Sequence, residues 1–191
     1  MDDLVQPRIG SDAVLQTLDA LGEVGGELLA HKVLEAAGLR HVLDQKLQEM
    51  VPQNLFLALV RAIEDTLPRS QVDLVAVSSG RKNGSVLLEQ YIPDMAQKLL
   101  HTLPPHVAGP LLLQALEKHS WTFAGSAKVH YEAGPPLQLV IENNPMAVWG
   151  CLWQCALLET VFRGLISADA RVWHMACCAD HRPSCVYMIE I

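Results

Sequence analysis

A chain of 191 residues, half of them hydrophobic and only 18% charged, lies far from disordered compositions and is long enough to bury one full core. Its formal charge of −7 and pI near 5.5 argue against a general nucleic-acid binder, because phosphate neutralisation needs a basic face. The Met1-Asp2-Asp3 start lacks a signal-peptide layout and no apolar run approaches the roughly 18 residues of a membrane span, so a cytoplasmic protein is expected. A mean hydropathy of +0.20 leaves room for a lipophilic pocket or for contact at a membrane periphery.

Ser11 is placed to cap a first helix with Val14, Leu15, Leu18 and Leu21 on one stripe. A second helix carries Leu28, Leu29, Val33, Ala36 and Ala37 and ends at Gly38, a good left-handed terminator. A third runs from about Asn54 and stops before Pro68. Residues 72–77 fit either period and are read as helix. Gly80-Arg81-Lys82-Asn83-Gly84-Ser85 lacks the Gly-Lys-Ser/Thr ending of a phosphate loop and is read as a plain turn. Gly22, Gly25 and Gly26 follow no predicted strand, so neither glycine-rich segment forms a nicotinamide or flavin motif.

After the Pro104-Pro105 break a further amphipathic helix is expected over residues 107–118. The period then falls towards two. Residues 121–125, 127–132 and 137–142 read as strands, with a turn at Gly134-Pro135-Pro136. Beyond Asn143-Asn144-Pro145, residues 147–166 form a helix apolar almost all round, with Glu159 and Arg163 as its i,i+4 pair. Residues 171–178 and 185–191 close the chain as a hairpin. The expected class is α+β: a single domain over 1–191, helical over about 11–119, with N-terminal helices packed on a small antiparallel sheet and a buried C-terminal helix over about 121–191.

All five cysteines fall after position 150, at Cys151, Cys155, Cys177, Cys178 and Cys185. In a reducing compartment this points to metal or thiol chemistry rather than disulfides, against the alternative of buried inert thiols. Cys177 and Cys185 bracket a hairpin turn, one way to deliver two of the four ligands of a tetrahedral site. On a regular strand His174 and Cys178 share a face and Cys177 points away, so a Cys177 ligand demands a bulge or a strand-end twist, and Cys178 is the alternative.

Cys151, a helix with Gly164, then His174, Cys177, Cys185 and an alternating terminal strand resemble the 4-vinyl reductase domain, which also serves as the sensor domain of phenol-responsive activators. The family pattern is a helix cysteine, a glutamate 23 residues on, a cysteine three further and a last one eight beyond; these intervals fit, with His174 in the glutamate's place. The resemblance implies a structural zinc on Cys151, His174, Cys177 and Cys185, and histidine is itself a good zinc ligand. Residues 119–126 (His-Ser-Trp-Thr-Phe-Ala-Gly-Ser), Gly22-Glu23-Val24-Gly25-Gly26 and the Leu103-Pro104 break extend the likeness along nearly the whole chain to the bacteriochlorophyll 4-vinyl reductase proteins of phototrophic bacteria. The fold implied is that of the 4-vinyl reductase domain and of vesicle-tethering-complex subunits, commonly a homodimer.

The implied function is tetrapyrrole binding in bacteriochlorophyll biosynthesis, either in 8-vinyl (formerly 4-vinyl) reduction of divinyl protochlorophyllide or in delivery of the intermediate to pathway enzymes. The partners implied are a magnesium tetrapyrrole or porphyrin and those enzymes. Vinyl reduction needs an electron source, which favours a carrier role over autonomous catalysis for a chain without a nucleotide motif. A small-molecule sensor and an assembly adaptor of the same fold are the alternatives. Trp121, Trp149, Trp153 and Trp173 all lie in the C-terminal part, and Trp121 and Trp153 are the nominated ligand contacts. His119 and His130 are candidate magnesium ligands, set against ordinary hydrogen-bonded histidines.

Overall fold

The protein is described by a computed structural model over residues 6–43 and 47–191. Strand β1 (Arg8–Gly10) pairs antiparallel with β2 (Met50–Pro52), Ile9 opposite Val51, and this ribbon brackets the first helix. Helix α1 (Ser11–Ala36) is interrupted at Gly26, whose φ of 76° and ψ of 176° suit glycine best. The two helices expected from the periodicity therefore abut at one residue. Ser11 is the first helical residue rather than the cap; Gly10 holds that position and no side chain caps the helix. Gly38 does end the segment in left-handed conformation, with φ 69°.

Helix α2 (Gln53–Thr66) stops ahead of Pro68, as its pattern predicts, and α3 (Arg69–Val86) follows at once. The turn expected at residues 80–85 is instead helix interior. Gly80 and Gly84 are four apart on the face of α3 that meets α6 (Leu152–Leu165), and their lack of a side chain lets the two backbones touch. A Cβ on Gly84 would stand 2.8 Å from the Leu157 carbonyl oxygen, and one on Gly80 would collide with that of Trp153. The close approach lets the indole Nε1 of Trp153 donate to Ser79 Oγ at 3.1 Å, while Ser79 also meets Thr17 Oγ1 of α1 at 2.7 Å. One buried hydroxyl thus pins three helices.

Helices α4 (Asp94–Thr102) and α5 (Pro105–Lys118) lead to the sheet. Residues 121–125 do not form the expected strand. Ser120–Thr122 is a 3-10 turn in which Thr122 Oγ1 donates to the His119 carbonyl at 2.7 Å, and Gly125 takes a φ of 59°. Local side-chain bonding outcompetes a two-residue alternation that has no neighbouring strand to pair with. Strands β3 (Lys128–Glu132), β4 (Leu137–Glu142), β5 (Arg171–Ala176) and β6 (Ser184–Glu190) form one antiparallel sheet in the order β3-β4-β6-β5. The row Tyr131, Leu139, Tyr187, His174 faces inwards, with Leu139 and Tyr187 fully buried. The α+β class follows, and the apolar helix predicted for 147–166 starts later, at Leu152. Glu159 and Arg163 pair on it at 2.9 Å. Among the described residues no helix is long and apolar enough to cross a membrane.

The helix crossing can be tested with two alanines. Gly80→Ala should lower stability by about 1–3 kcal/mol by forcing α3 and α6 apart. Gly22→Ala, with open space around its Cβ inside α1, should raise it by about 0.5–1 kcal/mol. Denaturant midpoints of the two variants check both signs, and equal effects would contradict the crossing.

Candidate metal centre

The ligand set depends on an irregularity in β5. His174 lies opposite Tyr187 and Ala176 opposite Val186, so Met175 is left without a partner. This bulge resets the alternation. Met175 is 61% exposed, whereas Cys177 is 2% exposed and turns inwards, to the side His174 occupies. The strand-parity objection to Cys177 is removed by one extra residue. Cys185 sits on the central strand β6 opposite Ile141 and is fully buried.

Cys151 reaches the hairpin from the other side. Trp149, Gly150 and Cys151 are consecutive left-handed residues, with φ of 54°, 61° and 62°, and Cys151 occupies the N-cap position of α6. Its Sγ lies 3.2 Å from Cys177 Sγ and 3.5 Å from Cys185 Sγ. One ligand atom from each of Cys151, His174, Cys177 and Cys185 falls within 4.8 Å of every other. Tetrahedral thiolates at 2.3 Å from a metal stand about 3.8 Å apart, so a small opening of this cluster suffices. His174 Nε2 is buried without a hydrogen-bond partner, as expected of a nitrogen reserved for a metal. The four residues can hold a metal ion.

Cys178 stands outside the set and supports it. Its N–H donates to Cys185 Sγ at 3.3 Å, and its own sulfur accepts the Asn144 N–H at 3.3 Å. Asn144 Nδ2 donates to Cys185 Sγ at 3.3 Å and to Gln154 Oε1 at 2.8 Å. Gln154 also accepts the Tyr187 hydroxyl and donates to the Phe123 carbonyl at 3.0 Å. Asn144, Gln154 and Tyr187 therefore form the buried outer layer of the site, of the kind that orients metal ligands. Sequence reasoning took Asn144 for part of the break between strand and helix and passed over Gln154. A lone glutamine inside an otherwise apolar helix was the available signal.

The thiols are electrostatically unequal. Hydrogen bonds from Cys151, from the Cys178 N–H and from Asn144 hold the Cys185 thiol down to about 4, against the opposing effect of burial. The Cys151 thiol is pushed far up, first by donating to Cys185 and then by burial. Cys151 as donor and Cys185 as acceptor at 3.5 Å favour the thiolate on Cys185. Burial also raises Cys177 and Cys178, and raises Cys155 to about 12 with help from Glu159.

The aromatic candidates are scattered. Trp153 is fully buried in the helix crossing, and Trp121 is half-buried against Tyr91, ring centroids 5.4 Å apart. Among the described residues, neither lines any of five surface clefts. His119 packs on Tyr91 at 5.9 Å, and His130 Nδ1 lies 3.4 Å from Glu142.

Three solved structures share this architecture over 95% of the chain. An H-NOX protein from S. oneidensis in the Fe(II)NO ligation state matches with TM-score 0.59 at 14% identity, covering 98% of that chain. An unliganded Fe(II) H-NOX point mutant from K. algicida matches with TM-score 0.59 at 13% identity over 96% of its length, and a variant of Tt H-NOX with 0.58 at 10% over 94%. The chain is thus an α+β protein of H-NOX-type fold with a cysteine-rich, metal-competent centre at its C-terminal hairpin. No family model matches it.

At the level of sequence it is 34% identical over 184 residues to the bacteriochlorophyll synthase 23 kDa chain of Cereibacter sphaeroides, covering 93% of this chain and 88% of the relative. The protein of the same name from Rhodobacter capsulatus is 28% identical over 97% of this chain and 88% of that one. The chain belongs to the bacteriochlorophyll synthase 23 kDa chain family, which bears out the bacteriochlorophyll-associated resemblance of its sequence.

The thiol assignment has a pH signature. A thiol whose folded value is depressed contributes stability that is present above its unfolded value of about 9 and is lost as pH falls towards 4. Metal-free protein should therefore show one ultraviolet thiolate band at neutral pH that persists into mild acid and disappears in Cys185→Ser. A spectrum with no thiolate at neutral pH would contradict the arrangement.

Proposed function

We propose that the chain binds a tetrapyrrole intermediate of bacteriochlorophyll biosynthesis and hands it to pathway enzymes, and that zinc on Cys151, His174, Cys177 and Cys185 holds its C-terminal unit together. The observation that carries the reading is the relationship to bacteriochlorophyll synthase 23 kDa chains over 93% of the chain. Three sulfurs and one nitrogen around a single centre suit zinc, which has no redox chemistry of its own and serves here as a clamp. The metal supplies folding energy, because the four ligands come from the start of α6, from β5 and the turn after it, and from β6.

Delivery is favoured over reduction by where the glycines lie. Gly26 breaks α1, and Gly80 and Gly84 seat α3 on α6, so both glycine-rich segments serve helix geometry. A flat macrocycle has large apolar faces, and its burial at roughly 25 cal/mol per Å² supports micromolar binding once association costs are subtracted. Uptake around Trp153 requires the helices to part, whereas the surface clefts are already open. Partners under this reading are the magnesium tetrapyrrole, pathway enzymes and a second copy of the chain.

Titration with protochlorophyllide-type and protoporphyrin-type ligands should quench tryptophan fluorescence saturably, with no vinyl-to-ethyl conversion. An ethyl product formed with a supplied reductant would make the protein an enzyme and overturn the carrier reading. Failure to bind any tetrapyrrole would overturn the function itself.

A further inference from the structure

The left-handed turn that brings Cys151 to the metal centre has a second side. It forms one wall of an open cleft of about 390 Å³ whose lining includes Leu57, Val60, Arg61, Glu64, Arg69 and Trp149. Leu57, Val60 and Val148 give it aliphatic surface, and Arg61, Arg69 and Trp149 form its donor half.

Four observations converge on the donor half. Among the described residues, no acceptor takes the N–H of Trp149 or of Gly150, and successive free N–H groups in such turns make anion-binding concavities. Trp149 is 2% exposed, and its indole Nε1 is buried with no hydrogen-bond partner, an arrangement that native proteins rarely leave unanswered. The guanidinium of Arg69 lies over the turn, with Nη2 3.9 Å from where a Cβ on Gly150 would stand. Asp73 engages only its Nε, at 2.8 Å, so both terminal nitrogens remain available for a planar acceptor. Arg61, one turn of α2 away from Leu57, adds a second guanidinium with no salt bridge among the described residues, while Glu64 is the one acid in the lining.

We propose that this cleft receives a carboxylate carried on an apolar body, namely the propionate edge of the tetrapyrrole. Arg61, Arg69, Trp149 Nε1 and the Trp149–Gly150 N–H groups take the carboxylate, and Leu57, Val60 and Val148 lie against the adjoining ring. The volume admits one edge of the macrocycle and leaves the remainder on the surface, open to a receiving enzyme. Glu64 opposes a second anionic group, which favours a ligand with a single carboxylate at this edge. The assignment rests on the tetrapyrrole reading above and adds to it the site and the recognised group.

The test compares one tetrapyrrole as free acid and as methyl ester, titrated into the zinc-replete full chain. The free acid should bind at least roughly tenfold tighter, the effect expected of a charge-assisted hydrogen bond. Arg61→Gln combined with Arg69→Gln should abolish that preference while leaving ester binding unchanged, and exposed Arg40→Gln should alter neither the preference nor ester binding. Trp149→Phe, which keeps the ring and removes the donor, should cost the acid alone severalfold. In a nitrogen–proton correlation spectrum the indole N–H resonance lost in Trp149→Phe should move with the acid and stay with the ester. Equal binding of acid and ester, insensitive to the arginine pair, would overturn the carboxylate site while leaving the tetrapyrrole function intact. Binding of neither would overturn both. Displacement of the acid by millimolar inorganic phosphate but not by acetate would reassign the cleft to phosphate.

Discussion

The structure turns on the short left-handed segment Trp149–Cys151. L-residues in this conformation cost about 1 kcal/mol or more each, and two of the three are not glycine. The strain is offset by what surrounds it. Asn144 Oδ1 accepts the Met146 N–H at 2.9 Å, its Nδ2 bonds Gln154, and the Trp149 indole packs edge-on against Phe56 with centroids 6.3 Å apart. Straightening the segment would carry Cys151 away from Cys177 and Cys185 and would also close the N–H-lined wall of the cleft. One local constraint therefore sets both the metal centre and the proposed ligand edge.

The segment is held in place by the helix behind it. Because Gly80 and Gly84 let α3 touch the backbone of α6, the N-terminus of α6 is fixed relative to the helical layer, and Arg69 at the start of α3 is carried to the turn. On the opposite side the β5 bulge at Met175 presents Cys177 next to His174. The left-handed turn and the bulge are two separate departures from regularity, and they bring Cys151 and Cys177 into one cluster, while the helix crossing seats the helix that carries the turn. Such departures collect at functional sites more often than in ordinary packing.

Much of this was legible. The helical stripes, the two hairpins and the α+β order followed from periodicity, and the resemblance to the 4-vinyl reductase domain implied the four residues, Cys151 to Cys185, that the fold brings together. The rest was hidden for identifiable reasons. A bulge leaves no signature in a strand of Trp, His, Met and Ala, so parity alone favoured Cys178. Gly80 and Gly84 read as a turn because a helix glycine is explained only by its partner helix, here Trp153 and Leu157. Trp121 and Phe123 alternate like a strand, yet no neighbour pairs with them and Thr122 bonds back to His119 instead. The left-handed turn was the least visible of all, since only Gly150 hints at it. Trp149 and Cys151 take that conformation under tertiary force.

The fold alone does not decide the function, since H-NOX-type architecture is shared with these structures at 10–14% identity. This chain carries a cysteine-rich cluster that links the start of α6 to the terminal hairpin, with a cleft bearing Arg61 and Arg69 on the other side of the same turn. Zinc K-edge X-ray absorption on protein purified without chelator tests that centre most directly. The account requires one zinc per chain with three sulfurs at about 2.3 Å and one nitrogen at about 2.0 Å. It also requires loss of the nitrogen scatterer in His174→Ala and an unchanged shell in Cys178→Ser. A shell of oxygens, or zinc retained in full by a Cys177→Ser, Cys185→Ser double variant, would contradict it.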